Sequence, residues 1–156
     1  MKQIKKNYVT EEGYKDIVKE LNERKIKTRK EIADRIKYAK DFGDLSENAA
    51  YTEAREAQNE NENKIKELED LILVSEIVKQ DKTNHSIQIG SSFKVELNGK
   101  EFTYKLVGPQ EADPSGFKIS HESPLGKSFI GKKTGSNMEF KSPSGTIMNF
   151  KIKEIK

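Results

Sequence analysis

The chain has 156 residues, of which 33% are apolar and 35% charged, with a net charge of +3 and no cysteine. This length fits one domain or two small ones, and the high charge is typical of a chain that is partly an exposed helical rod. The absence of cysteine excludes a disulfide framework and Cys-ligated zinc. No apolar run is long enough for a signal-peptide core or a membrane span, so we expect a soluble cytoplasmic protein with no membrane partner.

Two long periodic segments in the first half of the chain predict a helical hairpin. Thr10 is a suitable N-cap for the first helix. Basic residues dominate the first segment and acidic residues the second, which favours antiparallel pairing. We therefore predict an antiparallel coiled-coil hairpin over residues 1–80. Its two heptad seams comprise Tyr14, Val18, Leu21, Lys25, Thr28, Ile32, Arg35 and Ala39, and Tyr51, Ala54, Gln58, Asn61, Ile65, Leu68, Ile72 and Ser75.

Short alternating segments and turn signals in residues 81–156 predict a small antiparallel sheet with one short helix, which makes the fold class α+β. Asn98-Gly99 is a strong signal for a two-residue hairpin turn between strands 92–97 and 100–107. Pro124 in a first helical turn and Gly131 as a stop predict the helix. Further strands are predicted at residues 117–120, 137–141 and 146–155. The predicted core phenylalanines are Phe93, Phe102, Phe117, Phe140 and Phe150.

The turn between the two long helices, residues 41–48, carries the candidate site. Asp44 and Glu47 are spaced i, i+3, and such a pair before a helix is most often a capping box in which both acids bind backbone amides. The alternative is metal chemistry, because Mg²⁺ is typically held by one or two carboxylates together with phosphates. Asp41 adds a third acid, and Leu45 has little to pack on, which suggests insertion into a partner.

The run Gly43-Asp44-Leu45-Ser46-Glu47-Asn48-Ala49, followed by Tyr51, Arg55 and Gln58, resembles the tip motif of the Gre transcript-cleavage factors of bacterial RNA polymerase. It is closer to the GreA type than to the GreB type. Blocks in the second half match the same family in the same order, so the resemblance spans Thr10 to Ile155. These blocks are residues 104–108, 111–113, 119–120, 123–125 and 131–132.

The resemblance implies a coiled-coil hairpin followed by an FKBP-like domain, which docks at the rim of the polymerase secondary channel while the hairpin enters it. Asp44 and Glu47 would hold a Mg²⁺ ion shared with the polymerase and position the attacking water, so that the 3′ end of backtracked nascent RNA is cut. The chain alone is expected to bind no cofactor and no small-molecule substrate. The implied tip contacts are Asp41, Leu45, Ser46 and Asn48.

The resemblance also implies contacts away from the acidic pair. Arg55 and Lys40 would form a basic patch toward the RNA 3′ segment. The polymerase-docking segment would contain Ser123, Pro124 and Leu125. Gly126 stands where the family usually has alanine, which predicts a less stable docking helix, since Gly costs about 1 kcal/mol relative to Ala.

These features predict an accessory factor rather than an enzyme, because the tip acids lack a cleft, a preformed metal and a substrate pocket. Three alternatives remain. One is an inhibitory Gre homologue that blocks the channel. Another is a structural coiled-coil tether whose tip acids only cap a helix. The last is an isolated prolyl isomerase activity of the second domain, which similarity of fold does not imply.

Overall fold

The computed structural model describes residues 6–44, 48–81 and 83–156. They form two compact units. The hairpin unit is Tyr14–Val74, and the sheet unit comprises the described residues up to Gly13 together with Ser75–Lys156. By these contacts the chain divides at 13/14 and 74/75, and the domain boundary at 80/81 stays a prediction. Within the sheet unit, β1 (Asn7–Val9) pairs in parallel with β2 (Ser75–Ile77).

Helices account for most of the first half of the chain. Thr10 Oγ1 accepts a hydrogen bond from Gly13 N at 3.0 Å, so the predicted N-cap is confirmed. One element was not predicted: a five-residue π-helical segment that interrupts the first long helix. The helical elements in chain order are α1 (Glu11–Glu23), the π-helical segment (Arg24–Thr28), α2 (Arg29–Lys40) and α3 (Ala49–Val74).

Ion pairs across the hairpin confirm the predicted antiparallel arrangement. Basic residues further along the first helical arm of the hairpin pair with acidic residues earlier in α3, as antiparallel helices require. Each side chain in these pairs is at least a third exposed, so the pairs contribute little to stability and mainly specify register. The pairs are Lys25 with Glu69 at 2.5 Å, Arg29 with Glu62 at 2.6 Å and Arg35 with Glu53 at 3.4 Å.

Seven of the sixteen predicted seam residues are buried and eight are half-buried. The exception is Arg35, which is exposed, while the neighbouring Ile36 is half-buried. Arg35 was misplaced in the seam because a guanidinium is better solvated at the surface, where it also pairs with Glu53. The buried hairpin residues are Ile17, Leu21, Ile32, Ala39, Ala54, Asn61, Ile65 and Leu68.

Asn61 is a buried polar residue, with only 4% of its surface exposed, and it faces the π-helical segment. Its Nδ2 donates to the backbone oxygen of Arg24 at 3.3 Å, and Arg24 Nη1 donates to its Oδ1 at 3.5 Å. A π-helical turn disturbs the regular backbone ladder. Asn61 therefore adds a second hydrogen bond to a carbonyl that already accepts from Arg29 N, and both polar atoms of its own side chain have partners.

The sheet unit contains a five-stranded sheet in the order β5-β4-β3-β7-β6. The Asn98-Gly99 turn between β3 and β4 is confirmed, with φ of 52° and 75°, as a type I′ turn requires. One detail of the predicted antiparallel sheet is wrong, because β5 pairs with β4 in parallel. The elements are β3 (Ser92–Leu97), β4 (Lys100–Val107), a 3-10 turn (Pro109–Glu111), β5 (Lys118–Ser120), α4 (Pro124–Phe129), β6 (Asn137–Lys141) and β7 (Ile147–Ile155).

Phenylalanines contribute much of the sheet-unit core, although not all those predicted. Phe93 and Phe150 are buried, whereas Phe102 and Phe140 pack at the periphery. Phe117 is 45% exposed, because it lies in the turn before β5 at a φ of 55° rather than on the inner face of the strand. The core cluster is Ile87, Phe93, Val95, Leu106, Phe129, Met138, Phe150 and Ile152.

Candidate site at the tip of the helical hairpin

The end of α2 is a glycine cap. The Asp41 amide bonds back to carbonyls of the last helical turn. Gly43 N donates to Lys40 O at 3.2 Å, and Gly43 has a φ of 101°, a conformation that glycine adopts without the steric cost of a side chain. The chain is therefore turned sharply at the residue before Asp44.

The start of α3 is capped by Asn48. Asn48 Oδ1 accepts from Tyr51 N at 3.1 Å, as an N-cap side chain does. Its Nδ2 also donates to the backbone oxygen of Ala39 at 2.7 Å, at the end of α2. Helix α3 thus begins at Ala49 with Asn48 in the cap position, while the contacts that the capping box assigns to Asp44 and Glu47 involve residue 47, which lies outside the described residues.

Asp44 is exposed at the hairpin tip, as is Asp41. The predicted residues Leu45, Ser46 and Glu47 lie outside the described residues. Within residues 6–44, 48–81 and 83–156, no three His, Cys, Asp or Glu side chains form a group that could hold a metal ion. An exposed carboxylate at this tip fits the donor set of Mg²⁺, provided that a partner supplies the remaining oxygens.

An aromatic pair adjoins the tip. Tyr38 and Phe42 are one helical turn apart, with ring centroids 4.9 Å from each other and planes at 78°. Both stay largely in solvent, 67% and 68% exposed. An edge-to-face pair is worth about 0.5–1.5 kcal/mol beyond its area burial. The contact therefore helps to order the end of α2 immediately before Asp44.

Comparison with known proteins covers both halves of the chain. Residues 7–77 match the family model for the N-terminal part of transcription elongation factors, and residues 82–156 match that for the C-terminal part of GreA/GreB. A transcription elongation factor GreA of Clostridioides difficile is 41% identical over 100% of this chain and 99% of its own. One from Acetivibrio thermocellus is 42% identical over 95% and 94%. The chain belongs to the GreA/GreB family of transcription elongation factors.

Two solved structures are similar to this GreA/GreB-family chain. GreA factor homolog 1 of Thermus thermophilus has a TM-score of 0.44 and 22% identity, covering 97% of this chain and 99% of its own. A GreA/GreB factor from Nitrosomonas europaea has a TM-score of 0.43 and 27% identity, covering 59% and 78%. Family membership confirms the predicted role in transcription elongation, with stimulation of transcript cleavage as the role of the family.

The candidate RNA-binding residues of this family member lie on either side of the tip. Lys40 is exposed in the last turn of α2. Arg55 is exposed on α3, and its guanidinium donates to Gln58 Oε1 one turn further on. The Gln58 contact thus engages Nη1 of the Arg55 guanidinium.

The predicted docking residues are together at the start of α4 in the sheet unit. Ser123 Oγ accepts from Gly126 N at 3.0 Å and donates to Ser120 O at 2.7 Å, so its hydroxyl is engaged as a helix cap. Leu125 is half-buried and packs against the core, while Pro124 is exposed. Pro124 is therefore the most accessible of the three.

No helix in the described part of the chain has the length and apolar character needed to cross a membrane.

Proposed function

We propose that this protein enters the secondary channel of bacterial RNA polymerase and presents Asp44 and Glu47 to the magnesium centre of the polymerase. The polymerase then cleaves the 3′ end of backtracked nascent RNA, and the arrested complex resumes elongation in the cytoplasm. The protein is an accessory factor that completes the polymerase site and is not an enzyme by itself. The observation that carries the proposal is an exposed carboxylate, Asp44, directly after a glycine cap at the tip of two long paired helices.

The hairpin has dimensions suited to a narrow channel. Helix α3 has 26 residues, which corresponds to a length of about 39 Å at 1.5 Å per residue. Near the tip the seam is filled by Ala39 and Ala54, which are 2% and 1% exposed. Small side chains at a helix contact allow the two axes to approach closely. The tip half is therefore thin.

The tip would act through its charge and position. A bound Mg²⁺ ion activates water and stabilises the leaving oxygen in nucleases of the two-metal type. Asp44 and Glu47 would supply carboxylate oxygens from this chain. Lys40 and Arg55, one on each helix, would contact RNA phosphates, for which a guanidinium is well shaped. Pro124, at the exposed start of α4, would contact the rim of the channel.

The test uses purified polymerase stalled in backtracked complexes. Asp44→Ala and Glu47→Ala should each reduce stimulated cleavage by roughly 100-fold or more, the loss typical for removal of a group that stabilises developing charge. Binding to polymerase should be nearly unchanged, because docking relies on the sheet unit. Asp34→Ala, an exposed acid of α2 away from the tip, is the matched control and should behave as the parent.

The same assay separates the alternatives. Full cleavage with both tip variants would contradict the proposal and leave a structural tether. If this protein were an inhibitory homologue, the unsubstituted chain would suppress cleavage by the polymerase. Docking is tested with Pro124→Ala, which should weaken polymerase binding, whereas Lys127→Ala on the same helix should not. An unchanged affinity for Pro124→Ala would move docking elsewhere.

A further inference from the structure

One side chain joins the two helices across the tip. Asn48 Nδ2 donates to Ala39 O at 2.7 Å on α2, and Asn48 Oδ1 accepts from Tyr51 N at 3.1 Å on α3. Its backbone oxygen accepts from Thr52 N at 3.1 Å, which starts the regular helical ladder. Both polar atoms of the Asn48 side chain and its backbone oxygen thus have partners within the hairpin.

These contacts connect the tip to the packed seam. Ala39 is 2% exposed and is held by packing between the helices. Asp44 lies in the segment whose two ends, Ala39 and Asn48, are joined by the amide bridge. An amide is well suited to this task, because it carries a donor and an acceptor on one short planar group.

We infer that Asn48 is a positioning residue, whose side-chain amide holds the two ends of the tip turn together and so fixes where Asp44 lies. The inference rests on the proposed function, since position matters only if Asp44 acts in the polymerase site. It differs from the prediction that Asn48 contacts the partner, because both polar atoms already have partners within the hairpin.

Two substitutions separate the bridge from the helix cap. Asp and Ser are about as good as Asn at a helix N-cap, so Asn48→Asp and Asn48→Ser keep the bond to Tyr51 N. A carboxylate has no hydrogen to donate to Ala39 O, and a serine hydroxyl is too short to reach it. Because Ser is neutral, the pair also separates loss of the bridge from added charge. Asn63→Asp, an exposed site on α3, is the control for charge alone.

The first measurement is made on the free full-length protein. The chain has no cysteine, so spin labels can be attached at Lys37→Cys and Ala50→Cys, two exposed positions flanking the tip. The distance distribution between the labels should be narrow in the parent and in Asn63→Asp. It should broaden in both Asn48 variants. An unchanged width in both would overturn the inference.

The second measurement is cleavage in backtracked complexes as a function of factor concentration. At saturation, both Asn48 variants should cleave about 10-fold to 100-fold more slowly, as expected when a reacting group is misplaced by about 1 Å. The half-saturating concentration should stay the same. An unchanged maximal rate, or a raised half-saturating concentration alone, would overturn the inference, the latter in favour of a partner contact.

Asp44→Ala, measured in the same assay, distinguishes failure of the positioning role from failure of the proposed function. If Asp44→Ala abolishes cleavage while both Asn48 variants match the parent, only the positioning role is wrong. If Asp44→Ala also cleaves like the parent, the proposed function itself is wrong.

Discussion

Two physical effects of opposite sign determine how Gly126→Ala changes the stability of the fold. Helix propensity alone predicts that alanine in α4 stabilises the fold by about 1 kcal/mol. The surroundings predict the reverse, because a Cβ on Gly126 would lie 2.0 Å from Ser120 O and 2.9 Å from Ser120 C. Both are backbone atoms, so no flexible side chain can move aside, and α4 itself must shift away from the end of β5.

The size of the effect follows from what that shift breaks. Overpacking a closed site typically costs about 1–3 kcal/mol. Ser120 O also accepts from Ser123 Oγ at 2.7 Å and from Ser123 N at 3.1 Å, so moving the helix weakens its cap as well. Adding about 1 kcal/mol for the weakened cap and subtracting about 1 kcal/mol for the propensity gain leaves an expected net loss of about 1–3 kcal/mol. For a domain of roughly 60–100 residues, each kcal/mol lowers Tm by about 4–8 °C.

Calorimetry of the full-length chain checks this prediction. The parent is compared with Gly126→Ala and with Lys127→Ala, which introduces alanine at an exposed position of the same helix. Only Gly126→Ala should lower Tm. A rise in Tm for Gly126→Ala would refute the steric reasoning and restore the propensity argument.

Two further predictions concern the hairpin unit. Asn61→Ala removes one of the two bonds to the Arg24 carbonyl and should lower the free energy of unfolding by about 0.5–1.5 kcal/mol in urea denaturation, whereas an unchanged value would mean that water replaces the amide. Arg29 beside Glu62 holds the pKa of that carboxyl below its ordinary 4.5, so the pair stabilises the fold fully above pH 4.5 and less as pH falls through the lowered pKa. Glu62→Gln should flatten Tm against pH in that acidic window, and an identical acid slope would contradict it.

The parts of the fold that sequence predicted best are those specified by local chemistry. Asn98-Gly99 defines its turn because both residues tolerate positive φ, and Thr10 caps α1 through its own hydroxyl. Strands β1 and β2 were missed because three residues are too few to show alternation. Their pairing joins segments almost 70 residues apart in sequence, a contact that no local pattern indicates.

The candidate site was predicted by its motif and not by its geometry. The i, i+3 spacing of Asp44 and Glu47 fits both capping and metal binding, and the resemblance favoured the second. The cap proved to be Asn48, whose type is a known N-cap signal that was assigned to partner contact instead. The effect of Gly126 on stability was misjudged for a related reason. Helix propensity is a property of one residue, whereas the steric clash arises between an added Cβ and the backbone of β5.

The distribution of apolar residues explains why polar contacts govern the tip. At the base of the hairpin, Ile65 and Leu68 are buried, and each such side chain contributes about 1.5–3 kcal/mol on burial. Toward the tip the buried seam residues are Ala39 and Ala54, whose single methyl groups contribute about 0.8 kcal/mol each. One hydrogen bond worth about 1 kcal/mol is therefore a minor term at the base but is comparable to a whole seam residue at the tip. A thin end that fits a channel has little apolar packing to fix its shape, so the Asn48 bridge becomes a major determinant of where Asp44 lies.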